Sequence, residues 1–259
     1  MSPATAHDPR PMFDLTGQVA IVTGASSGLG ERFARVLHDA GAHVVAAARR
    51  VERLDALAAE HERIVPHAVD VTDDAGLRKL VDDTMDRFGR IDILVNNAGM
   101  GTPEPALDED LDSFRHTLEV NLVAVFNLAR LVARPMLESG KGSIVNIASI
   151  YGLGSSWPIP NGGYTASKGG VVQITRELAC HWAKGGVRVN AIAPGFFASE
   201  ATSEMVDNSK SIAYVEKGTP MRRFGKAHEL DGALIYLASD ASTFMTGQTM
   251  TVDGGWTAH

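Results

Sequence analysis

A glycine-rich turn between an apolar segment and an amphipathic one constrains the fold of this chain most strongly. Residues 18–23, Gln-Val-Ala-Ile-Val-Thr, form a short apolar run, which predicts a buried strand. Gly24-Ala-Ser-Ser-Gly28-Leu-Gly30 follows and opens a segment with apolar residues at helical spacing. Glycines there permit positive φ and let backbone N–H groups approach an anion at the positive end of the helix. The pattern favours a bound pyrophosphate, although the same turn could join a strand to a helix without any ligand.

Strand and helix patterns alternate along the rest of the chain. We predict strands at 18–23, 42–48, 64–70, 91–96, 142–148, 187–193 and 248–252. We predict helices at 28–40, 51–61, 73–88, 111–138, 163–184 and 228–239. This alternation indicates an α/β fold with a doubly wound, Rossmann-type parallel sheet of about seven strands and helices on both faces.

Ligands of such sheets collect beyond the carboxyl ends of the strands. Residues with binding or catalytic chemistry fall at those ends, namely Gly24, Asp70, Asn97, Ser149 and Pro194. The sequence therefore predicts one ligand cleft along that edge of the sheet.

Length and composition limit the classes of protein to which the chain can belong. Its 259 residues, 44% of them hydrophobic, suit one α/β domain, which we assign to residues 13–259. Residues 1–12 are predicted to be a flexible tail without the apolar core of a signal peptide. No apolar run is expected to span a bilayer, and a net charge of −7 without a basic stretch argues against nucleic acid. The expected partner is a small-molecule substrate.

Cysteine and histidine content points away from disulfides and metals. The single cysteine, Cys180, cannot form an intrachain disulfide, so a cytoplasmic location is the default. We expect Cys180 to be a small apolar residue of a packed helix. The nine histidines are scattered without metal-ligand spacing, and no metal site is predicted.

Tyr164 and Lys168 stand four residues apart, so they would share one helix face, with Ser149 a short loop upstream. At about 5 Å and an effective dielectric near 20, the lysine charge favours the phenolate by roughly 3 kcal/mol. This would lower a tyrosine pKa of about 10 by about two units and let the side chain move protons near neutral pH. A solvated helix could carry the same pair without any chemistry.

These segments, with six further motifs in the same order, resemble the short-chain dehydrogenase/reductase family. The resemblance covers the chain from about Leu15 to Trp256. The motifs are Thr23-Gly-Ala-Ser-Ser-Gly-Leu-Gly30, Asp70-Val71, Asn96-Asn-Ala-Gly99, Asn121, Ser149, Tyr164-x-x-x-Lys168, Pro194-Gly195 and Val252-Asp-Gly-Gly255. The resemblance implies an NAD(P)-dependent oxidoreductase that interconverts a secondary alcohol and a ketone.

The resemblance implies four catalytic residues. Tyr164 would be the base in oxidation and the acid in reduction, and Ser149 would hydrogen-bond the substrate oxygen. Lys168 would keep Tyr164 acidic and bond the nicotinamide ribose. Asn121 lies inside an apolar helix, where an amide costs stability unless it is hydrogen-bonded. The resemblance implies that it shapes the helix so that water links Lys168 to bulk solvent. A role in packing alone is the alternative. Ser149 and Tyr164 are 15 positions apart, roughly two more than in most members, which predicts a bulge over the cleft.

The same resemblance implies the cofactor contacts. Asp70 and the amide of Val71 would hold the adenine, and Asn97, Ala98 and Gly99 would line its ribose. Pro194, Gly195, Phe197 and Ser199 would seat the nicotinamide carboxamide. The turn residues that would surround the phosphates are Gly24, Ser26, Ser27, Gly28, Leu29 and Gly30, and Tyr164 and Lys168 would complete the site.

Cofactor choice depends on the end of the second predicted strand. The family's NAD-preferring members usually carry an aspartate near the place of Ala48, and that carboxylate is missing. Arg49 can instead bond a 2′-phosphate, with Ser26 and Ser27 nearby as hydroxyl donors. NADP(H) is therefore favoured, and NAD(H) stays possible if Arg49 stacks on the adenine or points to solvent.

The substrate is expected to be covered by residues 200–226, a polar and weakly periodic segment. Polyols or sugar acids are favoured because Pro194-Gly-Phe-Phe-Ala-Ser-Glu200 resembles gluconate-dehydrogenase-like members. The alternatives are a 3-oxoacyl-[acyl-carrier-protein] reductase and a nucleotide-binding regulator without turnover, against which the four intact catalytic residues speak. Residues that could hold an apolar part of the substrate, or equally be ordinary packing, are Met100, Trp157, Phe196 and Met205.

Assembly is the last expectation. Gly169 and Gly170 would permit close contact between helices, and the family pairs the helices at 111–138 and 163–184 across a two-fold axis. We predict a homotetramer with dihedral symmetry. The glycines could instead serve packing within the chain.

Overall fold

Seven parallel strands form one sheet in the computed structural model, which describes residues 9–198 and 202–258. They are β1 Val19–Thr23, β2 His43–Ala48, β3 Ile64–Ala68, β4 Ile93–Asn96, β5 Gly142–Ile147, β6 Val187–Pro194 and β7 Thr249–Val252. Their order in the sheet is β3-β2-β1-β4-β5-β6-β7. Ile21 of β1 pairs with Val45 of β2 on one side and Leu94 of β4 on the other. The predicted fold class is confirmed.

Helices connect the strands. Within the described residues they are α1 Gly28–Asp39, α2 Val51–Glu60, α3 Asp74–Phe88, α4 Leu111–Leu118, α5 Ala124–Ser139, α6 Gly162–Trp182, α7 Ser203–Val206, α8 Ser209–Gly218 and α9 Asp231–Ala238. A π-helical turn, Glu119–Val123, joins α4 to α5, so the helix predicted at 111–138 is not regular. The sequence-based prediction also missed α8, because the polar segment at 200–226 has weak helical periodicity.

The helices cover both faces of the sheet and form two apolar layers. On one face, Phe33 of α1 and Leu234 of α9 pack against strand residues such as Val22. On the other, Leu77 of α3 and Leu128 of α5 pack against residues such as Ile21. Neighbouring residues of one strand therefore enter opposite layers, as the two-residue period of a strand requires.

The helical stretch Leu111–Ser139 is long and apolar enough to cross a membrane by length and composition, contrary to the expectation from sequence. More than half of its apolar window is buried inside the fold. Leu128, Leu131 and Val132 belong to the layer beneath the sheet. A buried core helix satisfies the same test of length and composition, so this stretch is weak support for a membrane span.

Two other expectations concern single segments. Cys180 is exposed on α6, so its assignment as a packed residue was wrong. The buried face at that point of the helix is occupied by its neighbours Leu178 and Ala179. Arg10–Phe13 form a short 3-10 helix, and residues 1–8 lie outside the described part of the chain. The assignment of residues 1–12 to a tail stays a prediction.

Candidate active site

A cleft of about 810 Å³ runs along the carboxyl ends of the strands, where the sequence predicted it. The predicted residues that line it are Gly24, Ser26, Ser27, Gly28, Leu29, Gly30, Arg49, Asp70, Val71, Asn97, Ala98, Gly99, Ser149, Tyr164, Lys168, Pro194, Gly195 and Phe197. Asn121 is fully buried and is not one of the lining residues. Ser199, predicted to contact the carboxamide, lies outside the described residues.

The turn after β1 is built for close approach of a ligand to the backbone. Gly24 has φ +68°, and a Cβ there would lie 2.9 Å from Asn97 Nδ2. A Cβ on Gly30 would overlap the Gly24 carbonyl oxygen, so the first turn of α1 can pack on β1 only without a side chain. Asn97 Nδ2 donates to the Thr23 carbonyl at 2.9 Å and holds the end of β4 against the turn. Gly28, Leu29 and Gly30, which begin α1, line the cleft.

Ser149 follows β5 and lies at the substrate end of the cleft. Its Oγ accepts a hydrogen bond from the Tyr151 backbone N–H at 3.1 Å, which starts the short 3-10 helix Ile150–Gly152. Ser149 lies close enough to the Tyr164 phenol, in the first turn of α6, to lower the pKa of that phenol. The structure thus brings Ser149 and Tyr164 together in the cleft despite the longer connecting loop.

The pKa of Tyr164 nevertheless shifts in the direction opposite to the expectation. Burial raises it and outweighs the effect of Ser149. Lys168 Nζ lies 5.6 Å from the centroid of the Tyr164 ring and donates instead to the Ile147 carbonyl at 2.7 Å. Desolvation of the phenol thus exceeds any benefit from the lysine charge.

Lys168 is itself buried, with 4% of its surface exposed. Burial lowers its pKa to about 8. The side chain is therefore still mostly charged at neutral pH, but it loses its proton far more easily than a lysine in water.

Asn121 is the central residue of the π-helical turn, and its amide is fully bonded. Its Oδ1 accepts from the Met100 N–H at 2.8 Å, and its Nδ2 donates to the Met100 carbonyl at 2.7 Å and to Ser167 Oγ at 3.0 Å. A Cβ on Gly99 would lie 3.4 Å from both Asn121 Oδ1 and Lys168 Nζ, so the two polar groups share one small space. The amide therefore ties the segment after β4 to α6 directly behind Lys168.

At the opposite end of the cleft, Asp70 accepts hydrogen bonds from the Thr72 N–H and hydroxyl at 2.9 and 2.8 Å. These bonds lower the pKa of Asp70 and keep it ionised. Arg49 is 77% exposed, with Nη1 3.8 Å from Asp70 Oδ2. The carboxylate is thus one partner of Arg49 in the structure.

Arg50, not Arg49, meets the two serines of the glycine turn. Its Nε donates to Ser26 Oγ at 3.1 Å, and its Nη2 donates to Ser27 Oγ. Sequence reasoning missed Arg50, although the Arg49-Arg50 pair was the available signal. The end of β2 decides which of the two adjacent arginines points toward the serines, 23 residues away in the chain. Sequence patterns locate the end of a strand only to within one or two residues.

Aromatic side chains form the substrate end, together with Met100 and Met205. The Phe196 ring makes edge contacts with Tyr151, Tyr214 and Trp256 at centroid distances of 6.1, 5.9 and 4.9 Å. The sequence analysis did not select Tyr151, Tyr214 or Trp256, because they lie outside the family motifs. Trp157, which it did select, is 81% exposed and is absent from the lining.

The loop between Ser149 and Tyr164 borders the mouth of the cleft through Ile159 and Asn161. The Glu104 N–H donates to the Pro160 carbonyl at 3.0 Å, which fixes the far side of the loop. The Tyr214 hydroxyl of α8 donates to the Trp157 carbonyl at 3.4 Å. The predicted covering segment is thereby linked to the longer loop.

One other polar cluster lies away from the cleft. Ligand atoms of His38, Asp39 and His61 lie within 4.8 Å of one another, a grouping that the scattered histidine spacing did not predict. Arg35 Nη1 lies 2.6 Å from His61 Nε2. A guanidinium already occupies the position beside that nitrogen, and we assign no metal to the cluster.

Comparison with known proteins identifies the family. Residues 24–257 match the family model described as enoyl-(acyl carrier protein) reductase, and most of the motifs above lie in that span. This chain belongs to the short-chain dehydrogenase/reductase family. It is accordingly an NAD(P)-dependent oxidoreductase that acts on CH–OH groups.

Two curated family members illustrate the range of relatives. A 2-dehydro-3-deoxy-D-gluconate 5-dehydrogenase of Dickeya dadantii is 37% identical over 95% of this chain and 98% of its own length. A 3-oxoacyl-[acyl-carrier-protein] reductase of Thermotoga maritima is 36% identical over 93% of this chain and 98% of its own length. Sequence identity alone therefore does not separate these two activities.

A solved structure supports the fold assignment. The gluconate 5-dehydrogenase of Burkholderia cenocepacia, in complex with NADP and tartrate, is 37% identical and has a TM-score of 0.93. The comparison covers 97% of this chain and 100% of that one. The tight glycine turn and the volume of the cleft in this chain suit a dinucleotide.

Proposed function

We propose that this chain uses NADP(H) to interconvert a secondary alcohol and a ketone in a small substrate of the polyol or sugar-acid type. The convergence of Ser149, Tyr164 and Lys168 at one end of a dinucleotide-shaped cleft carries the proposal. The sugar-acid dehydrogenases among the relatives support the substrate class.

The position of each residue along the cleft indicates which part of the cofactor it would contact. The N–H groups that begin α1 would hold the pyrophosphate, and Asp70 with Val71 would hold the adenine. Asn97 to Gly99 would border the ribose, and Pro194 to Phe197, with Ser199, would seat the carboxamide. When bound, the nicotinamide supplies or accepts the hydride.

Proton transfer would be the task of Tyr164. Because burial raises its pKa, the phenol holds its proton at neutral pH and is ready to protonate a substrate oxygen during reduction. Ser149 would donate a hydrogen bond to the same oxygen as charge develops there. Lys168 would hold the ribose, and Asn121 would keep Lys168 and its path to solvent in place. In oxidation Tyr164 must first lose its proton, so that direction gains from higher pH.

The preference for NADP(H) rests on charge at the adenosine end. Ala48 offers no carboxylate to a ribose 2′-hydroxyl. Arg50 lies against Ser26 and Ser27, and Arg49 lies at the same rim, so two guanidinium groups can meet a 2′-phosphate. Both arginines, rather than Arg49 alone, are therefore proposed as phosphate ligands.

A 3-oxoacyl-[acyl-carrier-protein] reductase is the second candidate, supported by the relative of Thermotoga maritima. Docking of an acidic carrier protein needs a basic rim around the cleft. Lys141 precedes β5, at the opposite edge of the sheet, and pairs with Asp240 at 2.8 Å. Arg223 pairs with Glu229 at 2.7 Å. Both cations thus already pair with carboxylates, and Lys141 lies far from the cleft, which favours a small free substrate.

Absorbance at 340 nm, followed with NADP(H) and NAD(H) separately, tests the proposal. The panel should contain polyols, sugar acids, simple ketones, steroids and acetoacetyl thioesters. Turnover of polyols or sugar acids supports the first candidate, and exclusive turnover of acetoacetyl thioesters supports the second. Cofactor binding without turnover of any compound would favour the regulator.

A further inference from the structure

The Tyr151 side chain places a buried hydroxyl at the substrate end without a hydrogen bond of normal geometry to any described residue. The residue is only 9% exposed, and it lines the cleft. The neighbouring Tyr214 hydroxyl is close enough to raise the pKa of Tyr151, but it donates to the Trp157 carbonyl at 3.4 Å and leaves the Tyr151 hydroxyl without a bond of normal geometry. A buried polar group of this kind costs stability and calls for a partner that the free chain does not supply.

Tyr151 contacts both Ser149 and Tyr164. Its backbone N–H donates to Ser149 Oγ at 3.1 Å. Its ring meets the Tyr164 ring edge to face, with centroids 6.4 Å apart. Burial raises the pKa of the Tyr151 phenol, and Tyr214 raises it further, so the group stays neutral and can both donate and accept a hydrogen bond. Its position is one that a substituent near the reacting carbon would reach.

The charges around this end of the cleft restrict the substituent. Among the described lining residues, Lys168 is the cation next to Tyr164, and its Nζ bonds the Ile147 carbonyl. Arg49 and Arg50 belong to the adenosine end, beside Asp70 and the serines of the glycine turn. His116 also lines the cleft and lies near Asp70, at the same end. A carboxylate at this end would have to compete with the nicotinamide ribose for Lys168, whereas an uncharged hydroxyl needs no cation.

We propose that the Tyr151 hydroxyl hydrogen-bonds an uncharged hydroxyl of the substrate, and that the site selects a sugar alcohol over the sugar acid with the same carbon skeleton. This inference rests on the proposed function and narrows its substrate class to the neutral polyol. The Phe196 ring and Met205 would then contact the C–H groups of the polyol chain. Tyr151 is thus a residue that determines specificity.

Matched substrate pairs test the selectivity. D-Glucitol and D-gluconate, and galactitol and D-galactonate, differ within each pair only in a CH₂OH or a carboxylate at one end. With NADP+ at saturation, kcat/KM for the alcohol should exceed that for the acid by at least about tenfold in a productive pair. An equal or higher value for the acids would overturn the inference and leave the proposed function intact. Absence of turnover with every pair would remove both.

Tyr151→Phe tests the residue itself. Loss of one hydrogen bond should lower kcat/KM for the preferred polyol by about tenfold, mainly through KM. Turnover of cyclohexanol, which has no second hydroxyl, and the Kd for NADP(H) should not change. The melting temperature should stay equal or rise, because the variant removes an unsatisfied buried hydroxyl. A purely structural role would instead lower the melting temperature and affect both alcohols alike.

Tyr236→Phe is the matched control, since Tyr236 lies on α9, packs against the apolar layer that contains Phe33 and Leu234, and is not a lining residue of the cleft. It should behave as the wild type with every substrate. Wild-type kinetics of Tyr151→Phe on the polyol, or an equal loss on the polyol and on cyclohexanol, would contradict the assignment of Tyr151.

Discussion

Tyr164 and Lys168 lie one helical turn apart on α6, yet the Lys168 Nζ bonds the Ile147 carbonyl and stays 5.6 Å from the centroid of the Tyr164 ring. Burial acts on both groups. It raises the pKa of the phenol and lowers the pKa of the ammonium to about 8. The free protein therefore holds Tyr164 in its protonated form, which is the form that reduction of a ketone requires.

Tyr164→Phe should retain NADP(H) binding and lose turnover by about 10³-fold or more, because the acid–base group and the orientation of the substrate oxygen disappear together. Steady-state kinetics on the authentic substrate, with cofactor binding measured by fluorescence, provide the check. Tyr236→Phe again serves as the control. Near-normal turnover of Tyr164→Phe would show that another residue transfers the proton.

The burial of Lys168 predicts a dependence of stability on pH. Since its folded pKa of about 8 is below the unfolded value of 10.5, the native state is destabilised below pH 8 and recovers as the pH rises toward 10.5. The penalty is on the order of 3 kcal/mol at about 1.4 kcal/mol per pKa unit, before loss of the bond to Ile147 is considered. Lys168→Met should therefore be inactive but more stable than the wild type at pH 7.

Urea denaturation at pH 7 and pH 10 measures this effect. The stability advantage of Lys168→Met should shrink at pH 10, where the wild-type lysine is neutral in the folded state. A variant that is less stable than the wild type at pH 7, or a pH-independent difference, would count against a buried ammonium.

Asn121→Ala should lower the free energy of unfolding by about 2–4 kcal/mol, because it leaves the Met100 backbone N–H and carbonyl without their partner. Asn127→Ala, on α5, removes another buried amide that bonds Asp74 at 2.5 Å. Both variants should melt earlier, but only Asn121→Ala should lose kcat at temperatures where both are folded. If both variants kept the wild-type kcat, the role of Asn121 would be limited to packing.

Coenzyme preference should depend on both arginines of the adenosine end. We expect the wild type to prefer NADP(H), and Arg50→Ala to lower the NADP/NAD ratio of kcat/KM by about 10- to 100-fold through loss of charge-assisted hydrogen bonds. Arg49→Ala should have a smaller effect, since that side chain is mostly exposed and lies near Asp70. Arg78→Ala, on the surface of α3, should leave the ratio unchanged. A wild-type preference for NAD would defeat the assignment.

The homotetramer stays a prediction with a modified basis. A Cβ on Gly170 would lie 2.6 Å from the Leu122 side chain, so this glycine serves packing within the chain. Val123 and Phe126, at 44% and 41% exposure, give the helical stretch from α4 to α5 an outward apolar surface. Light scattering should report four times the 27.6 kDa chain mass, and Phe126→Asp should shift it to smaller species. A wild-type monomer at micromolar concentration would contradict the prediction.

A cytoplasmic location also stays a prediction. Recovery of the protein in the membrane fraction of cells would contradict it.

The sequence by itself determined the order of the elements and the edge of the sheet at which the cleft lies. Apolar runs such as residues 18–23 specify buried strands, and the alternation with helical periods leaves few topologies other than a parallel sheet. Chemistry-bearing residues that follow those runs, such as Ser149, must then meet at one edge.

Only the tertiary structure decided how side chains from distant segments pair. Arg50 is the partner of Ser26 and Ser27 in the structure. Burial raises the pKa of Tyr164 above its ordinary value, and the Tyr151 hydroxyl has no hydrogen bond of normal geometry. Periodicity tells which face of an element is buried, because that depends on neighbours in sequence. Hydrogen bonds, desolvation and the π-helical turn around Asn121 depend on atoms brought within a few ångströms by packing, and no local pattern encodes those distances.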